Sequence, residues 1–237
     1  PRAGVSSSGA YAAANLCARS IFSEDILANV SLALGAAAGG NGARTASGHM
    51  RLRASTHAVA VALGERVSSA LAALATGNAF DTVDFRHALG CFGTGVTVVT
   101  AATEDGRRAG LTVNSFASVS LEPPLVLWSL KAASTSLAIF EAASHFAVNV
   151  LTAGQEDLAR HFAQRASDKF AGIMVEQGRG GAPLLPQTLA QFECRNVFRY
   201  FGGDHVIFIG LVEAYRHGPG TPLLFNQGKF GTFVPGA

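Results

Sequence analysis

Residues 80–237 are predicted to form a mainly β domain, a β-barrel with peripheral helices, preceded by an Ala/Gly-rich N-terminal extension that is helical or flexible. A β-branched run at residues 96–100 is followed by Asp105-Gly106, a dipeptide typical of a hairpin turn. Two long apolar segments, residues 189–201 and 206–215, are separated only by a glycine-containing turn. Strands in meander order with few crossover helices favour a closed barrel over a doubly wound sheet.

The extension, residues 1–79, differs in composition from the rest of the chain. It is rich in Ala, Gly and Ser, and two segments, at about residues 23–38 and 55–75, have the apolar spacing or end signals of helices. A glycine-rich linker separates them. We expect a non-catalytic extension that packs against the barrel or against a partner subunit.

Three short helices are predicted inside the barrel domain. Asp84 is expected to cap the first, and Ser134 or Thr135 the second. Thr152 and Gln155 have the spacing of a capping box at the start of the third.

The composition excludes several classes of protein. Hydrophobic residues make up 49% of the chain and charged residues 14%, which excludes a disordered chain. The formal net charge of +2 gives no reason to expect nucleic acid or a membrane as a partner. The three cysteines, Cys17, Cys91 and Cys194, form no C-x-x-C pair, and no apolar run reaches the length of a membrane helix. We therefore expect a cytoplasmic protein with reduced thiols.

Motifs of other enzyme classes are missing from the sequence. Gly93-Thr94-Gly95 lacks the third glycine of a dinucleotide fingerprint, and there is no P-loop, H-E-x-x-H or G-x-S-x-G sequence. The histidines show no metal-ligand spacing, so no metal site is expected.

The segment at residues 110–130 is the most informative part of the chain. Small polar residues alternate there with apolar ones: Thr112, Asn114, Ser115, Ser118 and Ser120. Short side chains leave the backbone N–H and C=O groups open to a flat polar ligand. The alternative is a strand end whose hydroxyls are satisfied by neighbouring backbone.

Several segments occur in an order that resembles a known family. They are Gly110-Leu111-Thr112-Val113-Asn114-Ser115-Phe116, Ser118-Val119-Ser120-Leu121, Pro123-Pro124 with the apolar strand 125–130, Lys131 with Ser134-Thr135-Ser136, His145-Phe146-Ala147-Val148-Asn149-Val150-Leu151, Asp168-Lys169-Phe170 and Gly202-Gly203-Asp204-His205. The set, over roughly residues 85–231, resembles the short-chain NAD(P)H:flavin oxidoreductases, the flavin reductase components of two-component monooxygenases. The resemblance implies an FMN-binding split barrel, usually a homodimer with the flavin near the subunit interface.

The resemblance also implies roles for particular residues around the flavin. Thr112, Val113, Asn114, Ser115 and Phe116 are expected along the isoalloxazine edge, and Ser118 and Ser120 near the ribityl chain. Ser129, in the strand that follows, is a further candidate for binding the cofactor.

For the flavin phosphate the candidates are Lys131, Ser134, Thr135 and Ser136, at a helix N-terminus. Simple helix capping is the alternative. The family often has a second basic residue near this point, where this chain has Lys131-Ala132-Ala133. Lys169 is expected to add charge for the phosphate or NAD(P)H, or else to be a solvated loop residue.

His205 is the expected catalytic residue, in contact with the nicotinamide, with Asp204 orienting its ring. Capping of the hairpin by these two residues is the alternative.

The implied function is hydride transfer from NADH or NADPH to FMN or FAD, with delivery of the reduced flavin to a separate flavin-dependent monooxygenase. One alternative is a flavoprotein that holds its flavin tightly and reduces another acceptor, such as a cobalt corrinoid, or carries electrons. A weaker one is a heme- or pyridoxal-phosphate-related split barrel.

Overall fold

The computed structural model describes residues 81–166 and 168–236, and the two predicted helices of the extension lie outside these residues. The helices are α1 (Thr82–Gly90), α2 (Leu137–Ala142) and α3 (Glu156–Ala163). The strands are β1 (Thr94–Gly95), β2 (Thr97–Ala102), β3 (Arg108–Val113), β4 (Ala117–Leu121), β5 (Pro124–Lys131), β6 (His145–Val150), β7 (Glu176–Gln177), β8 (Pro183–Leu184), β9 (Ala190–Gly202), β10 (His205–His217), β11 (Leu223–Asn226) and β12 (Lys229–Thr232).

Seven antiparallel strands form the main sheet, in the order β3-β2-β6-β9-β10-β5-β4. Strands β3 and β4 stand at opposite ends of this order, yet only residues 114–116 join them. Such a connection spans about 14 Å at most, whereas the edges of a flat seven-stranded sheet lie about 29 Å apart. The sheet must therefore curve back on itself, as the predicted barrel requires.

The strand order corrects the simple meander expected from the sequence. β6 lies between β2 and β9, and β5 lies beside β10, so strands distant in the chain are neighbours in the sheet. A separate three-stranded sheet has the order β1-β11-β12.

Aromatic side chains fill the barrel interior. Trp128 of β5 stacks on Phe208 of β10 with 4.7 Å between ring centroids, and it makes edge contacts with Phe140 and Phe146. All four side chains are buried. A second cluster, which includes Val96, Leu151, Phe162 and Phe170, packs α3 against the barrel.

Helix starts differ from the predicted ones in two of three cases. Asp81, not Asp84, caps α1, because its carboxylate accepts hydrogen bonds from the backbone N–H groups of Val83 and Asp84. The N-cap of α2 is Ser136, later than predicted. The capping box of Thr152 and Gln155 is present, although a 3₁₀ turn precedes α3. Within the described part of the chain, no helix has the length and apolarity needed to cross a membrane.

Candidate active site

A cleft of about 930 Å³ opens where the two ends of the barrel sheet meet. It is bounded by the end of β3, the end of β5, the loop before α2, the loop after α3 and the start of β10. The predicted site residues that line it are Thr112, Val113, Asn114, Ser115, Ser129, Lys131, Ser134, Thr135, Ser136, Lys169 and His205. Among residues 81–166 and 168–236, no group of three or more His, Cys, Asp or Glu side chains could hold a metal ion.

Three predicted residues do not line this cleft. Phe116 packs against the barrel core, with its ring centroid 5.5 Å from that of Phe192. Ser118 and Ser120 lie on β4, paired with Val126 and Leu125 of β5. Their expected contacts with flavin remain predictions.

Residues 112–115 form the floor of the cleft. The hydroxyls of Thr112 and Ser115 form hydrogen bonds with neighbouring backbone instead of pointing freely into the cleft. The Thr112 hydroxyl donates to the Ala159 carbonyl of α3 at 2.6 Å. The Ser115 hydroxyl accepts from the Ser129 N–H at 2.9 Å and donates to the Ser129 carbonyl at 3.3 Å. For these two side chains the alternative prediction holds, that neighbouring backbone satisfies the hydroxyls of this segment. Ser115 joins the β3–β4 connection to β5, while Asn114 is exposed in the cleft.

Lys131 and the serine–threonine cluster form one end of the cleft. The Ser134 hydroxyl accepts from the Ser136 N–H at 3.3 Å. The hydroxyls of Thr135 and Ser136 have no hydrogen-bond partner within the described residues. Because α2 has only six residues, its dipole is small, and the positive charge here comes from the exposed Lys131.

A second positive charge comes from a residue that the sequence analysis missed. Arg165, exposed in the loop after α3, lines the cleft together with Gln164 and Ala166. A second basic residue therefore does line the cleft, but it comes from another element and not from the segment after Lys131. The sequence could have indicated Arg165, because it lies just after the predicted third helix and just before Asp168-Lys169-Phe170.

Lys169 also lines the cleft, but its ammonium group is engaged by the protein. It donates to the Phe162 carbonyl at 2.8 Å and to the Gly110 carbonyl at 3.1 Å. Burial lowers the pKa of Lys169 below its ordinary value.

His205 is the first residue of β10 and pairs with Lys131 of β5. Its Nδ1 lies 2.7 Å from the carboxylate of Asp204, and this hydrogen bond holds the pKa of Asp204 below its ordinary value. The imidazole is 39% exposed. Since Nδ1 is occupied, Nε2 is the ring nitrogen that a ligand in the cleft can reach.

The sequence model of the flavin reductase-like domain matches residues 89–233. The chain belongs to this family. A second model, the coatomer beta subunit appendage platform, matches residues 1–67, which lie outside the described residues. The predicted family, mainly β fold and enzyme class of this flavin reductase are confirmed by the first match and by the relatives below.

Among relatives, the reductase is 50% identical over 149 residues to the FMN reductase (NADH) SmoA of Agrobacterium fabrum, covering 63% of this chain and 84% of that protein. It is 39% identical over 158 residues to HsaB of Mycobacterium tuberculosis, the reductase subunit of a flavin-dependent monooxygenase, covering 65% and 84%. Among solved structures, the NADH:FAD oxidoreductase SgcE6 of Streptomyces globisporus, in complex with NAD and FAD fragments, has a TM-score of 0.63 at 43% identity, covering 66% and 95%.

Proposed function

We propose that this flavin reductase uses NADH to reduce FMN or FAD and supplies the reduced flavin to a separate monooxygenase component. The observation that carries the proposal is the cleft itself, which combines a small-residue floor, the exposed basic residues Lys131 and Arg165, and His205 held by Asp204, in a chain of this family. We also propose that the protein acts in the cytoplasm, where NADH, its proposed hydride donor, is available.

The cleft suits a flat ligand with a phosphate group. Its volume of about 930 Å³ is within the range of roughly 300–1,000 Å³ found for small-molecule sites. Lys131 and Arg165 supply positive charge, and the unpaired hydroxyls of Thr135 and Ser136 can donate to phosphate oxygens. The floor at residues 112–115 offers backbone groups to the ring system, since its side chains are short.

The protein's part in the reaction is to bind and orient. When both ligands are bound, the reduced nicotinamide supplies a hydride from C4, which flavin N5 accepts. The backbone of the cleft floor holds the flavin edge and stabilises the negative charge that develops on it. His205 Nε2 holds the nicotinamide, with the ring orientation fixed through Nδ1 by Asp204. No acid–base pair is required, because the cofactors carry the chemistry.

We also propose that the protein is a homodimer whose interface adjoins the cleft. Directly paired residues in a sheet share one face, and the outer face of β5, β9 and β10 is apolar over Leu127, Phe198, Tyr200, Ile207 and Ile209. Phe198 and Tyr200 are 53% and 54% exposed, and their rings stack at 6.4 Å.

The same face continues into the cleft. Ile207 pairs with Ser129, and His205 pairs with Lys131, so the apolar patch and three cleft-lining residues lie on one surface. A second copy of this chain on the patch would bury its aromatic rings and shield one side of the cleft from water.

Tyr200→Glu is expected to convert the dimer to a monomer, because a carboxylate would be buried in an apolar interface. Analytical ultracentrifugation measures the change. Met174→Glu is the control, since Met174 is 87% exposed in the loop before β7 and is not one of the patch residues. A dimeric Tyr200→Glu variant would contradict this interface.

The function is tested by loss of NADH absorbance with and without added FMN or FAD, using purified protein. Fast oxidation that needs added flavin, from nearly colourless protein, is expected. Yellow protein that oxidises NADH slowly and does not respond to added flavin would overturn the proposal and favour a tightly held flavin.

A further inference from the structure

We propose that Lys169 is a positioning residue, which acts on flavin binding by holding the cleft wall against β3 and not by contacting the flavin phosphate. The wall is the segment at residues 164–166, which includes Arg165. This inference rests on the proposed function of the cleft.

The ammonium of Lys169 joins two elements that border the cleft. The Phe162 carbonyl is among the last four of α3, which have no partner within the helix. Lys169 donates to it and also to the Gly110 carbonyl of β3, immediately before the cleft floor. A cation at a helix C-terminus is favourable. Two of the three ammonium N–H groups are therefore committed to holding α3 on β3.

Close packing makes this junction sensitive to the loss of Lys169. A Cβ at Gly110 would lie 2.5 Å from the ring of Phe162, so the end of α3 rests directly on the β3 backbone. The rings of Phe162 and Phe170 contact each other at a centroid distance of 5.3 Å. His161 Nε2 lies 2.7 Å from the Lys169 carbonyl oxygen.

These contacts fix both ends of the loop that carries the wall. The chain leaves α3 after Ala163 and is bound again to α3 and β3 at Lys169. Residues 164–166 follow α3 directly, so anchoring the end of α3 to β3 limits where Arg165 can lie before a ligand binds. Without the ammonium, the Phe162 and Gly110 carbonyls lose their donor. Flavin binding must then order the wall itself, and the free energy that this costs weakens flavin affinity.

The test compares Lys169→Met, Lys169→Arg, Arg165→Met and the Lys169→Met/Arg165→Met double variant with wild type. Lys229→Met is the control, because Lys229 is an exposed lysine on β12 that does not line the cleft. Flavin affinity is measured by quenching of flavin fluorescence, and KM and kcat are measured by NADH oxidation. All measurements are made well below the melting temperature of each variant.

Lys169→Met is expected to weaken flavin affinity and raise the flavin KM by about tenfold, with kcat changed far less. Lys169→Arg should restore most of the affinity, since a guanidinium can donate to both carbonyls. In the Arg165→Met background, Lys169→Met should add little, because both changes remove the same positioned contact.

Fully additive losses in the double variant would overturn the proposal and indicate a direct phosphate contact by Lys169. A lower melting temperature with unchanged flavin affinity would also overturn it, since the lysine would then only stabilise the fold. If Lys169→Met does not fold, Lys169→Gln, which removes the charge and shortens the side chain but keeps a polar amide group, takes its place. Wild type that binds but does not reduce flavin would refute the proposed function and leave the binding test intact.

Discussion

His205 is the residue whose position most directly suggests contact with the hydride donor. His205→Ala is expected to raise the KM for NADH about fivefold, the effect of losing one hydrogen bond to the ligand, while flavin affinity changes little. Steady-state kinetics and flavin titration separate the two effects. His217→Ala serves as the control, because His217 lies at the far end of β10 and does not line the cleft. An unchanged KM for NADH would refute the role of His205.

Glu213 lies outside the cleft and is surrounded by basic groups. It is the extra residue of a bulge in β10, and its carboxylate contacts His145 at 3.2 Å, Arg195 at 2.5 Å and Arg179 at 3.8 Å. Burial raises the pKa of Glu213, but the hydrogen bonds from His145 and Arg195 outweigh it, so the pKa lies below the ordinary value of 4.5.

A carboxylate whose pKa is lower in the folded protein than in the unfolded chain stabilises the fold at pH values above its unfolded-state pKa. This stabilisation is lost as the pH falls through the folded-state pKa. Glu213→Gln should therefore reduce the free energy of unfolding at neutral pH, and the difference from wild type should shrink below pH 4.5. Urea denaturation at a series of pH values measures this. A difference that is constant with pH would show that the ion pairs contribute nothing to stability.

The sequence allowed residues within one continuous segment to be placed, and it failed where the site depends on distant segments. Lys131 and the cluster at residues 134–136 were found because they are close neighbours in the chain, at the end of β5 and just before α2. Arg165 was missed because only the packing of α3 on β3 brings its loop to the cleft. The hydrogen bond from the Thr112 hydroxyl to the Ala159 carbonyl was missed for the same reason, because it also depends on the packing of α3 on β3.

At the scale of elements, β6, β9 and β10 are held together at Gly210. A Cβ there would lie 2.4 Å from the ring of Phe146 and 2.7 Å from the Cβ of Cys194. Gly210→Ala should therefore destabilise the protein by about 1–3 kcal/mol, the usual cost of overpacking a core. Trp128, the only tryptophan of the chain, reports unfolding by its fluorescence.

Gly95→Ala is the matched control, because nothing lies within 4 Å of its added Cβ. Its free energy of unfolding should stay within about 1 kcal/mol of wild type. Equal stability of the two variants would mean that the sheet can shift at Gly210 without cost.

Strands and turns were predicted more reliably than helix starts and strand order. Asp105-Gly106 and the turn before His205 specify local hairpins, so the sequence contains the whole signal. Asp81 and Asp84 are both competent caps, and only the path of the chain decides between them. The pairing of β5 with β10 depends on contacts between distant segments, which no local pattern shows.

For the molecule as a whole, closure of the barrel and the position of the cleft have one cause. The connection at residues 114–116 joins the two ends of the sheet, and Ser115 binds β5 across the seam. Within this connection the short Ser115 bonds the β5 backbone, Asn114 lines the cleft, and Phe116 turns into the core. The polar segment that first indicated function therefore also closes the fold.

The division of the chain at residue 80 leads to the last prediction. Among residues 81–166 and 168–236, those that line the cleft lie from Leu111 to His205, and the family match covers residues 89–233. We propose that residues 80–237 form the catalytic domain and that residues 1–79 take no part in the reaction. A chain shortened to residues 81–237 keeps Asp81, the cap of α1.

The shortened chain should therefore reduce flavin with a kcat/KM within about twofold of the full chain, as expected for a domain with its own core. Both proteins are compared at equal concentration by NADH oxidation and by analytical ultracentrifugation. A monomeric and inactive short form would show that the extension completes the interface. A dimeric but inactive short form would place part of the extension in the cleft, and either result would contradict the proposed division.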